Sequence, residues 1–545
     1  MKQYAIGIDF GTLSGRCIVV DCRDGRELAE ATCEYPHGVL DDRLPNGAKL
    51  PPLYALQHPE DYLLVLKTTI REALEKARVS PQEVTGVGID FTACTVMPVD
   101  KTGTPLCLRP EYAANPHAYV KLWKHHAAQP EADAINELAK TRKEAWLDVY
   151  GGKVSSEWAL PKILQVLREA PEVYGETARF MEAADWVVSK LVGKETHSRS
   201  FAGYKGLYYD DTYPSNAFMT ALDPGLDGIV GTKLSTKING ICTAAGTLCP
   251  EGAALTGLCE GTPVAVPQID GHSAMPALKI TGAGELMLIM GTSACHIVNA
   301  VTSRNMDGIC GHVKDSVIPG FDTYEAGQSA VGDIFDWFVK YYTPAAYAEE
   351  AKQRGVSAHV ILTEKAEKLA VGESGLIALD WMNGNRSILN DARLSGMILG
   401  MTLQTKPEEI YRALLEATAF GTKMIVDTLE KNQIPIDCVK VAGGIANKNA
   451  LLMQIYSDVL NREIQICEST QAGALGSAIY AAVVSGRYET IQQAADAMGT
   501  SFTKHYIPKP QNQRAYEKLY AEYVQLHDYF GKGGNHVMKR LFQER

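Results

Sequence analysis

"AIGIDFGTLSGRCIVV", Ala5 to Val20, is an apolar strand that runs into Asp9, breaks at Gly11-Thr12 and resumes as a second apolar strand. Turns favour Gly, Asp and Ser for backbone reasons of their own, so a plain surface hairpin accounts for this stretch as well as a ligand site does. A second copy changes the reading. "LMLIMGTSACHIVN", Leu286 to Asn299, repeats the order strand, Gly291-Thr292-Ser293, strand, about 280 residues further on. Two hairpins of one type predict a duplicated domain.

The surroundings of each hairpin fit that expectation. Residues 4–9, 16–21 and 27–35 predict a three-stranded meander, and from about Pro59 the residues Leu63, Leu66, Ile70 and Leu74 share a helical face. Val84–Asp100 reads as strand, break, strand, and helices and strands alternate thereafter, which is the α/β pattern. In the second half Thr405–Asn432 predicts a long helix, with Thr405 and Glu408 as a capping box and Ile410, Leu414, Ala417, Gly421 and Met424 as its buried stripe. A strand, the turn Gly443-Gly444 and a helix follow, with Leu451, Leu452, Ile455 and Val459 inward. Gln471–Val484 predicts a helix of small residues suited to close backbone approach. The Gly- and Pro-rich stretch Thr256–Met275 marks the junction, which gives domains 1–278 and 279–545.

Composition narrows the function classes. A chain of 545 residues is too long for a single hydrophobic core. Its net charge of −11 disfavours nucleic acid or an anionic membrane as the main partner. No run of apolar residues is long enough to span a bilayer, and a strand beginning within a few residues of Met1 leaves no room for a signal peptide. The twelve cysteines are scattered, with no C-x-x-C pair, which disfavours disulfides and a zinc site alike. The expectation is a cytoplasmic protein.

Neither G-x-x-x-x-G-K-[ST] nor G-x-G-x-x-G occurs, so phosphate binding needs another device. The two Gly-Thr turns supply one: backbone N–H groups freed from Cβ crowding, with the hydroxyls of Thr12, Ser14 and Thr292 as further donors. Asp9, at the strand end, suits a magnesium ion that keeps most of its waters. Arg16 reads either as a phosphate contact or as a solvated strand residue. Gly443-Gly444 at a helix start lets a base or ribose lie flat on the chain, with Asn447 or Asn449 to bond it; a βα turn with an Asn cap explains the same residues. Asp270, between a strand and a helix, reads as a general base for a substrate hydroxyl or as an N-cap. Its position just ahead of the second hairpin favours the base.

In order, "GIDFGTLSGR", "QIDGHSAM", "LIMGTSACHIV", "GLIALDWMNGNRSILNDARLSGMILGMTL", "VAGGIANKNALLMQ" and "QAGALGSAIYAAV" resemble the FGGY family of carbohydrate kinases, a branch of the actin-like, ribonuclease-H-like ATPases. The resemblance runs from residue 6 to about 484. It implies an α/β fold of two actin-like domains flanking a cleft, with ATP and Mg²⁺ as cofactors. It further implies that Asp9 attends the metal, that Gly11-Thr12 and Gly291-Thr292 hold phosphates, that Asp270 is the general base, and that Gly443, Gly444 and Asn447 pack on adenosine.

The sugar side follows from the same comparison. In glycerol kinases the segment matching "DFTACT" carries an Arg-Glu pair that grips the polyol; here Thr92 and Ala93 stand in its place. "IDFTACTVMPVD", "LWKHHAAQPEADAINELA" and "SSEWALPKILQVL" are similar to the ketopentose kinases of the family. They imply phosphorylation of L-ribulose at O5, a step of L-arabinose catabolism, with Ala93, Lys205, Asp270 and Glu325 lining the sugar. As bare residues Lys205 and Glu325 read as surface charges, and Trp123 reads as core or as a sugar contact. His125 and His126 are assigned neither metal nor proton work. Rival readings are a D-ribulose, xylulose or polyol kinase and a non-catalytic actin-like ATPase. Two departures stand out: Leu13 replaces a second Thr of the phosphate turn, and Gln165 replaces a signature Trp. A homodimer is the assembly the resemblance implies.

Overall fold

The computed structural model describes residues 3–543. The opening hairpin forms as β1 (Tyr4–Phe10) and β2 (Ser14–Asp21), and β3 (Glu27–Glu34) completes the meander. A later strand, β4 (Val84–Phe91), runs parallel to β1 and is buried along its whole length. Strands covered on both faces read as continuous apolar runs, as "VTGVGIDF" does. The sheet continues through residues 263–265 and 244–247, while β5 (Gln268–Ile269) pairs with the end of β4. The Gly- and Pro-rich stretch Thr256–Met275 is thus built into the first sheet, and continues into α1 (Asp270–Ala277).

The second hairpin repeats the plan. β6 (Glu285–Met290) pairs antiparallel with β7 (Ala294–Ala300) and parallel with β9 (Cys438–Ala442), and β8 (Asp322–Gln328) extends the meander from β7. Each sheet has seven strands, and in each the hairpin's first strand lies between its antiparallel partner and a parallel strand from later in the chain. The copies differ in one detail. Phe10 pairs with Gly15, whereas Met290 pairs with Ala294, so the second turn is one residue shorter.

The long helix α2 spans Pro407–Lys431, and Leu414, Ala417, Gly421 and Met424 are buried as its period predicts. Its cap lies one residue later than expected. Glu409 accepts from the Lys406 backbone N–H at 2.6 Å, while the Thr405 hydroxyl accepts from the Thr402 N–H and Glu408 is taken by the Tyr347 hydroxyl. Pro407 is best placed as the first helical residue, where its missing N–H costs nothing, and that sets the register.

Beyond β9 come the short helix α3 (Gly444–Lys448) and α4 (Ala472–Val484). The small residues of α4 earn their place by where the helix lies: it crosses back onto the first sheet. A Cβ at Gly7 would sit 1.8 Å from the Ala474 carbonyl oxygen, and one at Gly88 1.8 Å from that of Ser477. Only glycine at these two strand positions lets the helix seat. The chain accordingly builds two hydrophobic cores. One joins Ile6, Val87 and Met275 to Leu475 and Ile479; the other joins Leu286, Val439, Leu414 and Ile455. All twelve cysteines are free, and no described helix is long and apolar enough to cross a membrane.

Candidate active site between the two lobes

Three strand ends bring three carboxyl groups together. In the parallel pairing of β1 and β4, Asp9 is the register partner of Asp90; β5 sets Gln268 opposite Asp90, so Asp270 opens α1 just beyond. Asp270 is the first residue of the helix, and Ile269 holds the N-cap position. Asp270 Oδ1 accepts from the Gly271 N–H at 2.6 Å. Burial, and then the charge of Asp9, push its carboxyl up to about 7. A carboxylate near neutrality is suited to take a proton from a hydroxyl.

Asp90 is a site residue that the sequence patterns above do not assign. It is fully buried, its Oδ2 accepts from the Ser477 hydroxyl of α4 at 2.7 Å, and its Oδ1 has no hydrogen-bond partner among the described residues. Burial and the neighbouring Asp9 hold it well above the usual carboxylate range. A signal existed: "GIDF" occurs twice, at Gly7–Phe10 and Gly88–Phe91. The oxygen donors of Asp9 and the free Oδ1 of Asp90 form a set that fits a hard cation such as Mg²⁺.

The first turn is closed by the Gly11 N–H donating to Ser14 O at 3.0 Å and is braced on three sides. The Tyr35 hydroxyl donates to Gly11 O at 2.9 Å, Gln57 Nε2 to Thr12 O at 2.7 Å, and the Trp123 indole N–H to the Thr12 hydroxyl at 3.1 Å. Trp123 therefore serves the turn, with its ring packed on the first core. Leu13 is exposed and adds no polar group. Arg16 sits opposite Asp9 across the hairpin, its Nε 3.6 Å from Asp9 Oδ2 and its Nη1 3.5 Å from the Gln471 side-chain oxygen. In the second turn the Gly291 N–H donates to Ser293 O at 2.9 Å, and Thr292 O accepts from the Val331 N–H at 2.8 Å.

Gly443 precedes α3 with φ of +112°, a conformation for glycine alone, and a Cβ there would fall 2.1 Å from Met290 O. Gly444 has open space above it. Of the two asparagines, Asn449 is committed: its side-chain oxygen accepts from the Leu452 N–H at 3.0 Å and caps the next helix. The Asn447 side chain makes no hydrogen bond within the described residues and is half-buried.

Lys205 and Glu325, from opposite halves of the chain, meet. Lys205 Nζ lies 3.2 Å from Glu325 Oε1, and the His272 Nε2–H donates to Glu325 Oε2 at 3.0 Å. Burial opposes the charge on both members of the pair, and each more than offsets that for the other. Lys205 is raised and Glu325 lowered beyond their ordinary ranges. Burial lowers the His272 imidazole, so it binds Glu325 as a neutral donor. Ala93, two residues beyond the end of β4, is buried. Gln165 receives a role too: its side-chain oxygen lies 2.9 Å from His125 Nε2, and burial pushes that imidazole far down. A second group, His37, His58 and Asp61, comes close enough to share a cation. There Asp61 already accepts from His37 Nδ1 at 2.7 Å and the two rings stack at 4.2 Å.

Comparison with known proteins identifies the family. The N-terminal domain model of the FGGY family of carbohydrate kinases matches residues 4–275, and its C-terminal domain model matches residues 286–485. A ribulokinase of Geobacillus thermodenitrificans is 51% identical over 99% of this chain and 97% of its own. One of Halalkalibacterium halodurans is 52% identical over 99% and 97%. Among solved structures, a xylulose kinase from Rhodospirillum rubrum superposes with a TM-score of 0.81 at 23% identity, covering 96% of this chain and 98% of the other. A Plasmodium falciparum glycerol kinase does so at 0.74 and 17%, covering 96% and 98%. The two lobes, the paired Gly-Thr turns and the acid between them have their common explanation here: the chain belongs to the FGGY family of carbohydrate kinases, with the actin-like two-domain fold.

Proposed function

We propose that this chain transfers the γ-phosphoryl group of ATP to O5 of L-ribulose, giving L-ribulose 5-phosphate for L-arabinose breakdown, with Asp270 as general base. The observation that carries the substrate is the half-identity, over almost the whole chain, to relatives named ribulokinase. The loss of the Arg-Glu polyol grip at Thr92 and Ala93 agrees with it.

In this reading Asp270 accepts the O5 proton as that oxygen attacks the γ-phosphorus, and positioning with charge neutralisation does the rest. Lys205 donates to the ketose and Glu325 accepts from its hydroxyls, with Ala93 giving the sugar room. Gly11, Thr12, Ser14, Arg16, Gly291 and Thr292 receive the phosphates, and Gly443, Gly444 and Asn447 the adenosine. Asp9 attends Mg²⁺ brought in with ATP, an ion that would neutralise phosphate charge there. The first lobe, 1–278, carries the sugar and the second, 279–545, the adenosine, with α4 returning to the first. A cytoplasmic homodimer completes the proposal, and light scattering in solution tests the dimer. The decisive experiment is ADP release from Mg-ATP across a panel of L-ribulose, D-ribulose, xylulose and glycerol. L-ribulose dependence supports the reading, and equal or better turnover of another sugar overturns it.

A further inference from the structure

Beyond Lys205 and Glu325, a second pair of opposite charges, Arg386 and Glu157, lies near that ion pair. Arg386 belongs to the second lobe. The neighbouring Ser387 hydroxyl accepts from the Gly327 N–H at 3.1 Å, which holds this loop against β8. A Cβ at Gly327 would lie 3.5 Å from Arg386 Nη1, so the guanidinium rests over a strand position that has no side chain. Gly327 and Glu325 are two apart on β8 and share a face. Arg386 thus lies beside the Glu325 carboxylate, on the side of the sheet that meets Lys205.

Glu157 approaches from the first lobe. It stands two residues before Ala159, whose N–H donates to the Lys205 carbonyl oxygen at 3.2 Å. The lobes touch at this point, because Lys153 Nζ donates to Asn390 O at 3.2 Å. Among the described residues neither Arg386 nor Glu157 makes a salt bridge or a side-chain hydrogen bond, although Glu157 is the foremost of the negative groups acting on Arg386. Both side chains are half-buried, and a ligand that donates and accepts would satisfy the two together.

We propose that Arg386 and Glu157 are specificity residues that bridge the ketopentose across the lobes, Arg386 donating to a sugar oxygen and Glu157 accepting from a sugar hydroxyl. This rests on the sugar-kinase reading above. The sugar would then receive one contact from each lobe beside the Lys153–Asn390 bond.

The test uses the full-length enzyme and steady-state kinetics with L-ribulose, beside direct sugar titration by calorimetry. Hydrogen bonds to charged groups predict that Arg386→Met and Glu157→Gln each raise the sugar KM by about 10- to 100-fold, with the ATP KM held within about twofold. Arg386→Lys should recover part of the loss. The double variant should lose less than the product of the two single losses, because both act through one bound sugar. An unchanged sugar KM in folded Arg386→Met overturns the proposal, as does an equal rise in both KM values. Should Arg386→Met fail to fold, Glu157→Gln and Arg386→Lys carry the same comparison. If the wild-type enzyme ignores L-ribulose but phosphorylates another sugar of the panel, the substrate assignment fails. The pair is then judged on that sugar by the same KM split.

Discussion

Asp9 and Asp90 are register partners on adjacent parallel strands, so two carboxyl groups stand side by side at the strand ends that lead to Asp270. Asp90 is also tied to the second half of the chain, through the Ser477 hydroxyl at 2.7 Å. Asparagine keeps an acceptor for that hydroxyl and removes a carboxyl that burial disfavours in its charged form. Asp90→Asn should therefore unfold at a temperature equal to or above that of the wild type at pH 8. Asp90→Ala, which removes the acceptor, should cost about 1–3 kcal/mol. Thermal melts of the two variants without ligand check this, and a large loss in Asp90→Asn would mean that the negative charge itself is required.

Asp270 predicts a pH signature. Its carboxyl lies at about 7, against an ordinary value of 3.8. The free enzyme should gain kcat/KM for the sugar as pH rises through about 7, when the base loses its proton. The same shift has an opposite sign for stability. A folded-state value raised above the unfolded one adds stability below pH ~3.8 that is lost as pH climbs toward ~7. Asp270→Asn should cut kcat by roughly 10²–10⁴, abolish the acid limb of the profile and leave ATP binding by calorimetry intact. Near-normal turnover in a clean preparation would remove Asp270 from the mechanism.

What the sequence disclosed of this site depends on how local the signal was. The hairpin of β1 and β2 and the helix at Ala472–Val484 are written in short-range periodicity, and both lie where the pattern puts them. That α4 seats on Gly7 and Gly88 is invisible in the same letters, since the contact joins residues from opposite ends of the chain. Lys205 and Glu325 read singly as surface charges because a pair needs the fold to exist. The cap falls one residue beyond Thr405 for a different reason. Several hydroxyl and carboxyl groups compete within one turn, and Pro407 decides among them.

The Lys205–Glu325 pair should be costly to break. Glu325→Gln leaves the largely buried Lys205 ammonium without its counter-ion, with a loss of about 3–5 kcal/mol at pH 7. Since Glu325 is depressed below its ordinary value of 4.5, its contribution is present above that pH and lost as pH falls through and below it. The gap between wild type and Glu325→Gln in urea unfolding should therefore shrink below pH ~4.5. A gap independent of pH would assign the loss to packing.

Trp123 bears on ATP through Thr12. By accepting the indole N–H at 3.1 Å, the Thr12 hydroxyl has one lone pair occupied and its own proton free to donate outward. Phenylalanine keeps the ring and removes the N–H, which lets the hydroxyl turn inward. A neutral hydrogen bond contributes about 0.5–1.5 kcal/mol, so Trp123→Phe should raise the ATP KM by roughly two- to tenfold and leave the sugar KM unchanged. If the sugar KM rises instead, the indole faces the ketose and the turn is held by Tyr35 and Gln57 alone.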